Sequence, residues 1–238
     1  AGAQSSTNGI VITTANDASG ILGGWALLGN DWAVKSTAGT ALGNVIAATT
    51  QYSAYAGGDI VSSATSNLLI NDGSATVTTG AGMTNLNTLM VRNDAGNGTA
   101  GVNRLVDIAA GETLRLGVTG SIWNQGSLVT SGVPTLTIGS ANSVGAITAG
   151  GADNTAGELI INSSGTGEIL IRSSITDNGT GAVTLIRTGS GNQVVFGGVN
   201  TYTGGTVITQ GRNRFDNVGG LGSGAVTVTA GGQLWLNA

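Results

Sequence analysis

The chain has no cysteine and no histidine in its 238 residues. Disulfides, thiolate zinc centres, histidine metal clusters and any nucleophile activated by an imidazole are therefore excluded, and with them most hydrolase mechanisms. A lack of thiols also fits export across a bacterial envelope, where stray thiols oxidise. Charged residues make up 8% of the chain, against roughly a quarter in ordinary soluble domains. The net charge is −4 and the 8 basic residues are dispersed, so neither nucleic acid nor an anionic membrane surface is an expected partner. No apolar run approaches the roughly 20 residues of a spanning helix, so this segment is not expected to insert into a membrane. The opening AGAQSSTNG has no basic or apolar signal region, so no signal peptide is expected within the chain.

What the chain does have is 43 glycines and many short aliphatic bursts set between Gly, Thr, Ser and Asn. These bursts supply more burial than a disordered chain offers. Period-two alternation predicts strands at Ile10 to Thr13, Asn67 to Asn71, Leu86 to Arg92, Leu114 to Val118, Thr135 to Ile138, Glu158 to Ile161 and Ala225 to Thr229. The pattern returns at Leu89, Leu114, Leu136, Leu159, Thr184, Ile208 and Leu234, offsets of 25, 22, 23, 25, 24 and 26 residues. Such a period is too short for a propeller blade of about 40 residues. It fits an all-β, right-handed parallel β-helix (a β-solenoid) with coils of roughly 20–26 residues, whose inward aliphatics stack from coil to coil. Gly and Asn supply the positive φ that tight corners need.

Residues 1–60 are less regular: Trp25, Trp32, Tyr52 and Tyr55 gather there, and Thr40 to Thr50 reads as strand or short helix. They are expected to cap the first coil, with the β-helix at 61–238. The end in mid-pattern at Leu234 to Ala238 predicts a fragment of a longer protein.

Val183 to Gly211 and Leu221 to Ala238 resemble the autotransporter-associated β-strand repeat, so that 183–238 carries the likeness. Its strongest part is NTYTGGT: Asn200, Thr201, Tyr202, Thr203, Gly204, Gly205 and Thr206. Ile21 to Val34, Asn87 to Asn93 and Ile175 to Gly189 look like the region before such a repeat. The resemblance implies a passenger-type β-helix of a secreted protein at the surface of a Gram-negative-type bacterium, associated with its outer membrane. One departure is Arg212, Asn213, Arg214, where an inward apolar residue is usual. Either Asn213 enters a hydrogen-bonded ladder, or the strand ends early and Arg212 to Arg214 form an interaction loop. The loop is the expectation adopted.

Other candidate sites have ordinary explanations. Gly96 to Gly101 matches G-x-G-x-x-G but opens no helix, so it reads as a turn. The 12 carboxylates are scattered, with Glu168 and Asp177 near Glu158 as the least unfavourable catalytic set. Asp94 with Asn97, or Asp153 with Asn154, offers too few carboxylates for calcium. Trp25, Trp32, Trp123 and Trp235 suit sugar stacking only if exposed. No catalysis, cofactor or metal is expected. The expected role is a structural stalk. The alternatives are an adhesin for polysaccharide or cell-surface receptors and a fibre subunit that meets copies of itself end to end.

Overall fold

In a computed structural model, residues 9–37, 42–93, 102–127 and 135–237 are described, and every regular element among them is a strand. The chain is a parallel β-helix. One side stacks β4 (Ser53–Ala54), β5 (Asn67–Ile70), β8 (Thr88–Asn93), β11 (Thr119–Ser127), β14 (Gly157–Ser163) and β17 (Val183–Thr188) in parallel. A second side stacks β6 (Thr76–Thr78), β9 (Arg104–Asp107), β12 (Leu136–Ile138), β15 (Ile169–Ile171) and β18 (Val194–Phe196). The third carries β7 (Met83–Asn85), β10 (Thr113–Leu116), β13 (Ala146–Ala149) and β16 (Ser174–Ile175). Two long strands, β19 (Thr206–Phe215) and β20 (Val226–Leu236), turn the corner and serve both the first and second sides.

Alternation along each strand sends every second residue inward, and the parallel register places like on like. The first side stacks Leu68, Leu89, Ile122 and Ile161. The second stacks Val77, Val106, Ile138, Ile171, Phe196 and Phe215. The two phenyl rings lie nearly parallel, centroids 4.5 Å apart. Leu114, Ile147 and Ile175 line the third side. All belong to one continuous core, and each buried aliphatic is worth about 1.5–3 kcal/mol.

Coil length varies more than the spacing of 20–26 residues suggests. From Leu89 to Ile122 to Ile161 the steps are 33 and 39 residues, while Ile161 to Arg187 to Ile208 gives 26 and 21. The near-regular series of the sequence mixes sides: Leu89 and Leu159 stand on the first, Leu136 on the second and Leu114 on the third. Loops of unequal length between strands of similar pattern produced that apparent regularity.

The expected N-terminal cap is divided. Ser53 to Ser63 already form a short first coil: Ser53 and Ala54 pair with β5, Ile60 N donates to Thr78 O, and Ser63 N to Asn85 O. A boundary at residue 60 thus falls inside a coil. Upstream, β1 (Leu27–Leu28), β2 (Asp31–Lys35) and β3 (Val45–Ala47) make an antiparallel meander. It lies on the outer flank of the first side. Trp32 packs with Leu69, Met90 and Trp123, the outward residues of three successive rungs. Ile10 to Thr13 forms a single bridge at Val11 and no strand.

Arg187 occupies an inward position between Ile161 and Ile208 and is fully buried. Burial pushes its guanidinium down to about 10, so it remains a cation at neutral pH. Its Nη1 and Nη2 donate to Gly189 O (3.0 Å) and Asn192 O (3.3 Å), and Nε has no partner. Among the described residues no carboxylate pairs with it. A buried charge answered only by carbonyls stabilises little, and replacing such groups by apolar residues is commonly neutral or favourable. Arg187→Met is expected to leave urea stability unchanged or raise it by up to about 4 kcal/mol. A loss beyond about 1 kcal/mol would show that satisfying the two corner carbonyls outweighs desolvation.

Candidate functional site

On the outer surface of the second side the ladder arranges side chains as a grid. One column reads Glu168, Gln193, Arg212; the next Leu170, Val195, Arg214; the third Arg172, Gly197, Asp216. The register follows from the pairings of β15 with β18 and β18 with β19, continued by Gly197 N donating to Ile171 O and Asp216 N to Phe196 O. A cavity of about 310 Å³ opens over this grid, floored by Leu170 and Val195 and walled by Glu168, Arg172, Arg214 and Asp216. Asn142 leans in from the loop after β12, its Oδ1 2.8 Å from where a Gly197 Cβ would stand.

The polar walls are held in place. Arg214 Nε and Nη2 meet Asp216 Oδ1 and Oδ2 at 2.7 and 2.8 Å, a bidentate pair. Partial burial pushes the Asp216 carboxyl up, but hydrogen bonds from Arg214 and Asn237, with the guanidinium charge, outweigh this and keep it below its ordinary range. Gln193 Nε2 donates to Glu168 Oε1. Arg172 Nη1 donates to Ser140 O at 3.2 Å, and no carboxylate pairs with Arg172 among the described residues.

The expected loop at Arg212, Asn213 and Arg214 is not a loop. All three lie in β19, and Asn213 points inward, fully buried, between Val194 and Leu234. The strand survives because Asn213 Nδ2 donates to the carbonyls of Gln210 (3.4 Å), Gly211 (2.9 Å) and Gln233 (3.2 Å), groups that the bend of β19 would otherwise leave unanswered. Arg212 and Arg214 face outward as ladder members, with Arg212 over the Trp235 ring at 5.1 Å.

The NTYTGGT residues form a structural corner. The third side ends at β16, where Ile175 N donates to Asn200 Oδ1 (2.7 Å) and Thr201 N to Ile175 O. Asn200 Nδ2 reaches on to Gly220 O, so one side chain ties three coils. Tyr202 is fully buried in the core, its hydroxyl 2.5 Å from Thr206 Oγ1. Gly204 passes so close to the preceding coil that a Cβ would stand 2.5 Å from Val183 O. Gly205 turns the chain at φ +91. Thr203 N is received by Asp177, which also accepts from Val183 N.

The other candidates are spread apart. Glu158 is exposed on the first side, Glu168 borders the second, and Asp177 sits at the corner just described. Asp153 pairs with Arg115, and Asn154 Oδ1 accepts from Thr180 N. No group of three potential metal ligands occurs among the described residues. Asp94, Asn97 and Gly96 to Gly101 lie outside the described residues. Trp32 and Trp123 are buried against each other, edge to face, whereas Trp25 and Trp235 are exposed. A second cavity, about 320 Å³, at the first coil offers one carboxylate, Asp59, already bonded to Thr78.

The chain is 38% identical over 119 residues to a protein named "Adhesin BmaC autotransporter" from Brucella suis biovar 1 (strain 1330). The similarity is to an adhesin. The matched stretch covers 48% of this chain and 3% of the length of that protein. No family model matches, so the likeness of 183–238 to the autotransporter-associated repeat rests on its residues alone. No solved structure matches.

Gly197, Arg172, Asp216 and Asn142 escaped sequence reasoning. Two traces were present: outward-phase charges two residues apart (Glu168 and Arg172; Arg214 and Asp216), and a glycine where alternation calls for an outward side chain after Val195. Placing them beside one another requires the register, which unequal loops conceal.

Proposed function

We propose that the chain is a β-helical segment of a secreted bacterial surface adhesin of the autotransporter kind, displayed outside the outer membrane, in which stacked coils form a stiff rod that carries binding surfaces on its flanks. The observation that carries the reading is the similarity to an autotransporter adhesin in a chain whose core is a continuous stacked column. Eight rungs stack on the first side among the described residues, which at about 4.8 Å per rung makes a rod of about 35 Å. Backbone ladders along the axis give stiffness and resist proteolysis, and neither property needs catalysis, a cofactor or a metal.

The test is display of the chain on a non-adherent bacterium through an outer-membrane anchor, with exposure verified by surface labelling. Attachment to host cells or abiotic polysaccharide is expected to rise, and soluble chain is expected to compete. Cells that display it fully and attach no better than controls would sink the adhesin reading.

A further inference from the structure

The grid on the second side has one vacancy, and it lies between opposite charges. Rungs of a sheet stand about 4.8 Å apart, so Arg172 and Asp216, one rung to each side of Gly197, flank a notch about 10 Å wide. Val195 and Leu170 form an apolar floor beside it, and the Asn142 carboxamide stands over it. We propose that this notch binds a neutral oligosaccharide, a reading that rests on the adhesin function.

The chemistry selects this class of ligand. A sugar hydroxyl both donates and accepts, and it is best met where a donor-only group, an acceptor-only group and an amide converge. The notch supplies Arg172, Asp216 and Asn142 in those roles. A pyranose also has C–H faces that gain from an apolar floor. Two cations, Arg172 and Arg214, are balanced by Glu168 and Asp216, so the site offers no net charge to attract an ion. Because Arg214 and Asp216 hold each other and the ladder fixes their spacing, little order has to be created on binding.

The notch exists because residue 197 has no side chain. Gly197→Val extends the column of side chains across it. The atoms such a side chain would meet belong to the movable Asn142 carboxamide, so the fold should survive. Arg172→Ala, on the outer surface, serves as a second variant. The whole chain would be titrated calorimetrically with cellotetraose, mannotetraose and galactotetraose, and with tetragalacturonate as the charged counterpart. At least one neutral tetrasaccharide is expected to bind, and each substitution to weaken it by about tenfold or more at unchanged melting temperature. The inference is overturned if no neutral sugar binds, if only tetragalacturonate binds, or if neither substitution alters affinity. Displayed cells that attach while the chain ignores neutral sugars would remove this inference and leave the adhesin reading standing. Loss of both attachment and sugar binding would remove both.

Discussion

Tyr202→Ala is expected to lower stability by about 3–5 kcal/mol, the usual cost of emptying an aromatic core position. Tyr202 closes the core where the third side runs out. Beyond Ile175 no strand continues the column of Leu114 and Ile147, and the buried ring fills the space while Asn200 and Thr201 take over the ladder contacts. Coils after this point are shorter because a corner replaces a sheet. Tyr202→Phe keeps the ring and removes only the 2.5 Å contact to Thr206, so it should cost about 1 kcal/mol. Coils of a solenoid contact only their neighbours, so the loss should be greatest in β19 and β20, visible as faster amide exchange from Thr206 onward. A Tyr202→Ala chain that melts and exchanges like the parent would refute the assignment of this corner as the element that closes the core.

The second large effect is expected at Trp123, and its consequence should be local. Trp123 faces outward from β11 and meets Trp32 of the meander edge to face, centroids 5.1 Å apart. Both are essentially unexposed. Trp123→Ala should cost the meander about 3–5 kcal/mol of docking, leaving partly exposed contacts such as Arg92 with Asp31 at 2.7 Å, worth at most about 1 kcal/mol. Residues 9–52 should then lose exchange protection and become open to protease while the coils from β5 onward keep theirs. Simultaneous loss of protection in both regions would mean that the meander and the solenoid are one cooperative unit.

Several features were legible because they depend on local rules. Alternation in NLLI, TLRL and VTLIRT is strand chemistry wherever it occurs, and β5, β10 and β17 form there. Composition pointed to a solenoid because glycine-rich corners and stacked aliphatics have few other uses. The coil lengths were misjudged for a physical reason: Leu114 and Leu136 carry the same inward signal, and only pairing places one on the third side and the other on the second. Arg212 to Arg214 were misjudged because an inward asparagine looks like a break until its Nδ2 is seen to serve three carbonyls of the bend. The first 60 residues were seen as irregular, yet nothing local distinguishes capping an end from lying along a flank. That depends on Leu69, Met90 and Trp123, which come into line only once successive rungs are in register.

By itself the sequence determined the class of architecture, the exclusion of thiol and imidazole chemistry, and the corner residues from Asn200 to Thr206, because all of these follow from residue type and short-range spacing. Tertiary structure alone decided which coil stacks on which, where the meander docks, and that Arg172, Gly197 and Asp216 make one notch. The parallel ladder sets those neighbours about 4.8 Å apart on successive rungs, across loops whose lengths carry no record of the register.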